Sequence, residues 1–445
     1  MAKYKAYPEY KDSGVEWFDV RPLSWKVTRL KLETFMNMGQ SPSSDDCNIE
    51  GDGLAFLQGN AEFGKVNPIE KQYCPVAKKI ANPGDILFSV RAPVGAMNFA
   101  DKKYGIGRGL CSISASEKVI SPFLWWLLPT YKYQLDAIAT GSTFEAVSAE
   151  QLGNLCFALP SISEQIQIAA FLDHETAKID NLIDKQQQLI ELLKEKRQAV
   201  ISHAVTKGLN PDVPMKDSGV KWLGEVPEHW VIKRLKHISP KVGVGLVINP
   251  STYTKDEGVY FIFGGDVKEF GFDLTKTRRI SPQDSNKLLP SRLNSRDLVS
   301  VRVGYPGITS VVTDDLEGSN CASIIIIRRG SYNSDWLCAA MNVWVGRQQV
   351  DLASYGAAQK QFNVSDAIEF VFPVPPINEQ NDIADFVQKT LNKFDDLTQK
   401  AFKQIELLQE RRSALISAAV TGKIDVRDWV APSTQDVEEP QEATV

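Results

Sequence analysis

Side chains that can pair with the edges of DNA bases occur in the loops of two separate stretches of this chain. Arginine, lysine, asparagine and glutamine hydrogen-bond to base edges in the major groove, and the two cations also bind phosphates. The candidates in the first stretch are Gln58, Asn60, Arg91, Lys102, Lys103 and Arg108. The candidates in the second stretch are Lys276, Arg278, Arg279, Arg302, Gln359, Lys360 and Gln361. Ordinary solvated loops contain the same residue types, so that reading stays open beside the functional one.

The motifs of familiar catalytic sites are incomplete in this sequence. Residues 59–66, GNAEFGKV, resemble a phosphate-binding loop but lack the Ser or Thr that would hold Mg²⁺. Asp85, Asp101 and Lys103 are the residue types of a Mg²⁺-dependent nuclease, although such a spacing arises easily by chance. The six cysteines form no C-x-x-C pair, which disfavours a zinc site and a disulfide framework and favours a reducing, cytoplasmic location. We therefore predict no catalytic residue, metal or cofactor on this chain.

The chain contains a long internal repeat. The phrase KDSGVEW at 11–17 returns as KDSGVKW at 216–222, and PSISEQIQIAAF at 160–171 returns as PPINEQNDIADF at 375–386. The offsets of 205 and 215 residues far exceed the period of a solenoid, so a whole module is duplicated. The repeat predicts five parts: a first domain with its initial segment (1–159), a central long helix (160–208), a second domain (209–374), a distal long helix (375–424) and an acidic disordered tail (425–445).

The two repeated helical stretches carry apolar residues at steps of three and four, as on a heptad-like stripe. Ser161 and Glu164 have the spacing of a capping box, and Gly208 and Gly422 stand where helices would end. Two such helices bury their stripes most simply against each other, in antiparallel directions; the alternative is that each packs only on its own domain. The expected packing positions are Ile168, Leu172, Ile179, Leu182, Leu189, Leu193, Val200, Ile383, Val387, Phe394, Leu397, Leu408 and Leu415.

The stretches between the repeats are rich in short β-branched and aromatic runs, such as GDILFSV and ASIIII, interrupted by Gly, Pro and Asn. They predict strands, so the fold class is α+β: two mixed α/β domains separated by two long antiparallel helices, with a pseudo-twofold internal repeat. Residues 20–155 have a net charge of +1 and residues 230–372 of +3, whereas the last 22 residues carry −5. Mildly basic domains are compatible with DNA contact but do not require it.

Four motif blocks occur in order and twice: KDSGV, P-x-x-W, RLK, and an EQ pair leading a long helix that ends in ISxAVT. In this arrangement the chain resembles the specificity subunits of type I restriction-modification systems from about residue 8 to 425. The resemblance implies that each variable block is a target-recognition domain, reading one half of a bipartite, asymmetric DNA sequence. It also implies that the helices set the unspecified gap and dock two modification (methyltransferase) subunits, which a restriction (motor and nuclease) subunit joins.

On this resemblance S-adenosylmethionine and ATP with Mg²⁺ belong to the partner subunits, and this chain is a non-catalytic, cytoplasmic DNA-binding subunit. No apolar run reaches the ~18 residues of a membrane span, so no membrane partner is expected. Two other functions stay open from the residues alone. The chain could be a coiled-coil scaffold that joins two protein partners, or a solo DNA-modifying enzyme.

Overall fold

The computed structural model of the chain describes residues 4–132, 134–135, 146–356 and 360–431. The chain divides into two compact units: unit 1 comprises residues 1–186 and 403–445, and unit 2 comprises residues 187–402. Each long helix therefore contributes one part to each unit. The boundaries drawn from the sequence between the domains and the long helices stay a prediction.

Unit 1 begins with strands on either side of a one-turn helix. These elements are β1 (Tyr10–Val15), β2 (Phe18–Pro22), β3 (Lys26–Arg29), α1 (Leu30–Glu33) and β4 (Phe35–Met38). The first variable block contains β5 (Leu54–Leu57), β6 (Tyr73–Cys74), β7 (Ile80–Ala81), β8 (Ile86–Ser89), β9 (Met97–Phe99), β10 (Tyr104–Ile106) and β11 (Leu110–Ser114). It is followed by α2 (Ser121–Leu127), α3 (Ala149–Gly153), β12 (Cys156–Leu159) and the long helix α4 (Ile162–Lys207).

Unit 2 repeats this order with additional short elements. It opens with β13 (Met215–Asp217), β14 (Glu225–Pro227), β15 (Val231–Arg234) and β16 (Val242–Val244). The block continues with β17 (Thr254–Lys255), β18 (Val259–Ile262), β19 (Val267–Lys268), β20 (Gly271–Phe272), β21 (Arg278–Ile280), α5 (Pro282–Lys287), β22 (Leu298–Val301), β23 (Thr309–Val311), β24 (Asn320–Cys321) and β25 (Ile324–Ile327). It closes with α6 (Ser334–Asn342), α7 (Trp344–Ala353), α8 (Val364–Ala367), β26 (Val371–Val374) and the long helix α9 (Ile377–Val420).

Each unit contains two four-stranded sheets, and one of the two has the same strand order in both units. The orders β4-β11-β8-β9 in unit 1 and β16-β25-β22-β23 in unit 2 correspond strand for strand. The other sheets are β6-β5-β10-β7 and β17-β21-β18-β24, and each holds one parallel pair, β5 with β10 and β18 with β24. Strands β8, β22 and β25 are buried along their whole length, as expected for near-continuous apolar runs covered on both faces. The predicted α+β class is confirmed.

A duplicated tryptophan joins the ends of both long helices within each unit. In unit 1 the indole N–H of Trp25 donates to the Glu164 carboxylate at 3.1 Å, near the start of α4. The Trp25 ring also packs against Gly422, just past the end of α9. In unit 2 Trp230 donates to Glu379 at 2.9 Å, near the start of α9, and packs against Gly208, just past the end of α4. The repeated P-x-x-W and EQ motifs are therefore two parts of one contact.

The two long helices run antiparallel within each unit. In unit 1 the Asp180 carboxylate of α4 accepts two hydrogen bonds from Arg412 near the end of α9, at 2.8 and 3.3 Å. In unit 2 Arg197, late in α4, donates to Asp395, in the first half of α9, at 3.1 Å. The capping box is also present, because Ser161 N donates to Glu164 at 3.1 Å and Glu164 N donates to Ser161 Oγ at 3.3 Å.

The buried stripe of the helices differs from the predicted heptad stripe. Leu182, Leu189 and Leu397 were expected to pack between helices, but they are 47, 42 and 38% exposed. On a straight helix, positions that repeat every seven residues rotate around the helix axis by about 20° per heptad. Over three heptads this rotation reaches about 60°, which is more than half of the ~100° between successive residues. Buried isoleucines of α4 recur instead every eleven residues, at Ile168, Ile179, Ile190 and Ile201. On α9 Ile383, Phe394 and Ile416 follow the same spacing.

The remaining predicted packing positions are covered to different degrees. Four further positions are buried or nearly so: Leu172, Val387 and Leu415 are buried, and Leu408 is half-buried against the core of unit 1. Leu193 and Val200 are half-buried. An eleven-residue repeat spans three turns at about 3.67 residues per turn and so keeps one face of a nearly straight helix in register. The buried residues of the long helices therefore follow an eleven-residue repeat more closely than the seven-residue repeat of a left-handed coiled coil.

The predicted disordered tail is wrong for its first residues. Asp425 N donates to the Lys5 carbonyl at 2.8 Å, Val426 is buried, and the Trp429 ring meets Phe171 edge-on at 5.5 Å. The disorder was predicted from the acidic composition of the whole tail, but the apolar residues at its start pack against the core of unit 1. The rest of the tail, 432–445, lies outside the described residues. Within the ranges described, every helix is too short or too polar to cross a lipid bilayer.

Candidate nucleic-acid interface

Three loops converge in each unit where the two parallel strands end. In unit 1 a backbone segment after β4 crosses the loops after β5 and β10, with Gly39 N donating to Leu110 O at 2.8 Å and Gln40 N to Ile106 O at 2.9 Å. A Cβ on Gly39 would lie 2.1 Å from the Gly107 carbonyl oxygen, so only glycine permits this approach. We call residues 39–41, 58–60 and 107–109 the three-loop edge of unit 1.

Unit 2 contains the same crossing. Gly245 N donates to Ile324 O and Leu246 N to Cys321 O, both at 2.9 Å. A Cβ on Gly245 would lie 2.4 Å from the Cys321 carbonyl oxygen. The loops that meet here are residues 245–248, 263–265 and 322–323, which form the three-loop edge of unit 2. Carboxyl ends of neighbouring parallel strands are common ligand-binding positions, because loops from both strands meet there.

Two of the sequence candidates of unit 1 are brought together by a serine that sequence reasoning missed. The Gln58 amide donates to Ser41 Oγ at 2.8 Å, and the backbone N–H of Arg108 donates to the same oxygen at 3.1 Å. The side chains of Gln58 and Arg108 are exposed. Asn60 is half-buried and begins a short 3-10 turn in the adjoining loop. The edge thus presents an amide and a guanidinium, the groups that pair bidentately with adenine and guanine.

The other candidates of unit 1 lie apart from this edge. Lys102 and Lys103 precede β10, whereas Arg108 follows it. The ammonium of Lys102 forms an ion pair with Glu70, which raises the pKa of Lys102 and lowers that of Glu70. Arg91 is exposed just after β8, and its backbone forms a bridge with Ala146. These cations suit phosphate contact better than base reading, because phosphate contacts need charge and little geometry.

In unit 2 one arginine reaches the three-loop edge. The Arg278 guanidinium lies 4.6 Å from the centre of the Phe263 ring, and Phe263 belongs to the edge. Arg279 lies 3.7 Å from the centre of the Tyr260 ring, and its NH1 donates to the Gly258 carbonyl at 3.3 Å. Lys276, just before β21, is exposed.

The remaining candidates of unit 2 form a second group near residues 302–307. Arg302 is half-buried and donates to Asn363 Oδ1 at 3.4 Å. The Lys360 carbonyl accepts from Gly304 N at 3.1 Å, and Gln361 exchanges two backbone hydrogen bonds of 2.9 Å with Tyr355. Lys360 is exposed, and Gln359 lies outside the described residues.

The two edges differ in chemistry at equivalent positions. Gly107 N donates to Leu57 O at 2.8 Å and Ala322 N donates to Ile262 O at 2.9 Å, which aligns Gln58 with Phe263 and Arg108 with Ser323. The segment after the glycine is Gln-Ser in unit 1 and Leu-Val-Ile in unit 2, where Val247 and Ile248 are 47 and 76% exposed. Apolar side chains read the thymine methyl group, whereas amides and guanidinium groups read hydrogen-bonding edges. No pattern in the sequence signalled Val247 or Ile248.

The acidic residues considered for a nuclease site have structural partners. The Asp85 carboxylate accepts from Asn82 N at 2.8 Å, and its counterpart Asp297 accepts from Asn294 N at 2.9 Å. Asp101 accepts from the Tyr104 hydroxyl at 2.7 Å. Over the part of the chain that the structure describes, no group of three or more His, Cys, Asp or Glu side chains is placed to hold a metal ion.

Comparison with known proteins gives one family. Residues 60–192 match the family model described as "Type I restriction modification DNA specificity domain". A putative type I restriction enzyme specificity subunit (MjaX) of Methanocaldococcus jannaschii is 39% identical over 181 residues, which cover 39% of this chain and 42% of that protein. This match thus spans less than half of that relative. The type I restriction enzyme EcoBI specificity subunit of Escherichia coli is 23% identical over 432 residues, covering 92% of this chain and 88% of that protein.

Solved structures show the same fold. A chain from a structure of the assembly and conformational transition of the type I R-M system aligns with a TM-score of 0.70 at 18% identity, covering 91% of this chain and 99% of that one. The HsdS subunit from Thermoanaerobacter tengcongensis aligns with a TM-score of 0.53 at 18% identity, covering 91% and 98%.

Proposed function

We propose that this chain is the DNA sequence-recognition subunit of a type I restriction-modification complex, because residues 60–192 match that specificity domain and the curated relatives are specificity subunits of such systems. In this proposal each unit reads one half of a bipartite target through its three-loop edge. The observation that carries the proposal is the duplicated frame with dissimilar edges. A corresponding crossing of backbone loops presents Gln58 and Arg108 in one unit and Val247, Ile248 and Phe263 in the other. Two different edges predict an asymmetric target.

The long helices have two roles in the proposal. They set the unspecified gap between the two half-sites, and they dock two modification subunits, which a restriction subunit joins. Contacts at the ends of the helices support a fixed spacing. Trp25 and Trp230 each contact the start of one long helix and the end of the other. This chain would supply no catalytic group, and S-adenosylmethionine and ATP with Mg²⁺ would bind the partner subunits.

The proposal is tested by mapping methylated adenines in the DNA of cells that express this chain with its modification subunit. The control cells express the modification subunit alone. A gapped, asymmetric motif that appears only with this chain is the expected result. A motif that is contiguous, or one that appears without this chain, would contradict the proposal.

The salt dependence of DNA binding separates this function from a protein scaffold. Neutralising Z phosphates gives a slope of about −0.9Z in a plot of log K against log salt concentration. We expect a steep slope for the complex on its target duplex. A flat dependence, with DNA affinity that does not change with sequence, would favour a scaffold.

A further inference from the structure

One aromatic residue of the duplicated helices has different surroundings in the two units. Phe171 of α4 corresponds to Phe386 of α9 at the offset of 215 residues. In unit 1 Phe171 is fully buried, because the rings of Tyr4 and Trp429 meet it edge-on at 5.3 and 5.5 Å. In unit 2 Phe386 is 37% exposed. It lines an open groove of about 600 Å³ together with the apolar residues Val200, Gly208 and Leu209, and Lys196 and His203 also line this groove.

The repeat explains why the coverage differs. Leu209 stands where Tyr4 stands in the first copy, at the offset of 205 residues, and it is smaller than the tyrosine. The segment that carries Trp429 follows the end of α9, whereas the chain after α4 continues directly into β13. Among the residues that the structure describes, none takes the place against Phe386 that Trp429 takes against Phe171.

The two copies also differ in charge beside this aromatic residue. In unit 1 the Arg427 guanidinium lies 4.9 Å from the centre of the Tyr7 ring and lines a cavity with Glu164 and Gln167. The Gln167 amide donates to the Trp429 carbonyl. The Arg427 guanidinium also donates two hydrogen bonds to Asp425 of its own segment, at 2.9 and 2.6 Å. Unit 1 thus receives a segment of the form Arg-x-Trp, with the arginine against Tyr7 and near Glu164 and the tryptophan on a phenylalanine.

Unit 2 keeps the glutamate and the phenylalanine and has an aspartate in place of the glutamine. The counterparts of Glu164 and Gln167 are Glu379 and Asp382. They line a cavity of about 260 Å³ together with Leu209, which also lines the apolar groove. An amide that donates in unit 1 is therefore replaced by a carboxylate that accepts. Both oxygens of Glu379 already have partners, the Trp230 indole at 2.9 Å and the His229 ring at 2.6 Å. A segment lying here would therefore place a cationic or N–H group opposite Asp382, and an apolar ring opposite Phe386.

We propose that the groove formed by Leu209, Glu379, Asp382 and Phe386 binds a segment of a partner polypeptide in which a basic residue stands two positions before an aromatic one. The ring of the segment would lie against Phe386 as Trp429 lies against Phe171, and its basic residue would lie beside Asp382, where unit 1 has Gln167. Arginine and tryptophan are enriched among the residues that dominate binding at protein interfaces, which fits one cation and one ring as anchors. Residues 432–445 of this chain contain neither an aromatic nor a basic residue, so they lack the required chemistry. The inference is independent of the DNA-recognition role.

The test uses the full-length chain and a fluorescently labelled peptide, KIDVRDWVA, which copies Lys423–Ala431. We expect saturable binding in fluorescence anisotropy, with none for the same peptide carrying alanine at its Arg and Trp. Phe386→Ala should weaken binding by at least ~10-fold, as is usual for a central anchor. Asp382→Lys should weaken it by at least ~5-fold through charge reversal. Phe402→Ala changes another exposed phenylalanine of α9 and should leave the affinity unchanged.

Three results would overturn the proposal. One is equal affinity of the peptide for the parent chain, the Phe386→Ala variant and the Asp382→Lys variant, each shown to be folded by circular dichroism. Another is a peptide affinity that falls with Phe171→Ala but not with Phe386→Ala, since the peptide would then be exchanging into unit 1. The third is self-association in sedimentation that Phe386→Ala abolishes, because the occupant would then be a second copy of this chain.

Discussion

Removal of the Gln58 amide should relax the DNA sequence requirement at a single position of one half-site. The amide is exposed at the three-loop edge of unit 1 and is held by Ser41 Oγ at 2.8 Å. A good bidentate contact contributes about 1–3 kcal/mol of discrimination against the wrong base, or roughly 5- to 150-fold. Gln58→Ala should lower discrimination at one base pair by this factor and leave the other half-site unchanged.

Ser41 should act through Gln58 and Arg108, because its hydroxyl accepts hydrogen bonds from both. Ser41→Ala removes the acceptor but no group that faces DNA in this account. A neutral hydrogen bond contributes about 1 kcal/mol net, so we expect a loss of roughly fivefold at the same base pair. Ser41→Thr, which keeps the hydroxyl, should retain most of the discrimination.

The assay is competition binding of the complex with its modification subunits to duplexes that carry each single base-pair change in the methylated motif. Gln404→Ala, on the exposed surface of α9, is the matched control and should bind like the parent chain. If Gln58→Ala discriminates as well as the parent at every position, Gln58 does not read a base. If it lowers affinity equally for all duplexes, the residue contacts backbone instead.

Three other properties can be checked directly. Trp230→Ala should lower the free energy of unfolding in denaturant titration by about 3–5 kcal/mol, because Trp230 is fully buried. The control Trp17→Ala changes an exposed tryptophan and should alter it by less than about 0.5 kcal/mol. Similar small losses for both variants would contradict the role of Trp230. Burial raises the pKa of Cys111 and Cys321 to about 12, so both thiols should resist a thiol reagent at pH 8 in the folded chain. The pKa of each thiol is higher in the folded than in the unfolded chain, so the stability contribution of each is fully present below about pH 9. It declines by up to ~1.4 kcal/mol per pH unit for each thiol as the pH rises toward 12, and a free energy of unfolding that is flat over this range would contradict the burial of both thiols. Insertion of four residues near Gln186 should alter the gap or abolish recognition and leave both half-sites unchanged, so an unchanged gap with full activity would refute the spacing role of the helices.

The two long helices could be predicted from sequence because the same helical motifs occur in both copies of the repeat. Duplicated residues such as Trp25 and Trp230 marked contacts that turned out to be equivalent. The buried stripe was wrong in the middle of the helices, because a heptad template accumulates an angular error that an eleven-residue period avoids. Leu182 and Leu189 are the heptad positions of α4 at which this angular error places an exposed residue in the predicted stripe.

The recognition edges could be predicted only in part. Polar type alone identified Gln58 and Arg108, which the structure places together, but it also selected Lys102, which is paired with Glu70 away from the edge. Ser41 was missed because its importance depends on a backbone crossing at Gly39 that only tertiary structure shows. Val247 and Ile248 were missed for a different reason: a search for hydrogen-bonding side chains cannot find an apolar reading surface.

The proposal requires that the two units read two separate halves of one target. To test this, residues 237–373 are replaced with the equivalent block of a type I specificity subunit that has a different target, and adenine methylation is mapped in cells. We expect one half-site to change to that of the donor, while the other half-site and the gap stay as they were. A map in which both half-sites change, or in which the donor block leaves the motif intact, would contradict the claim.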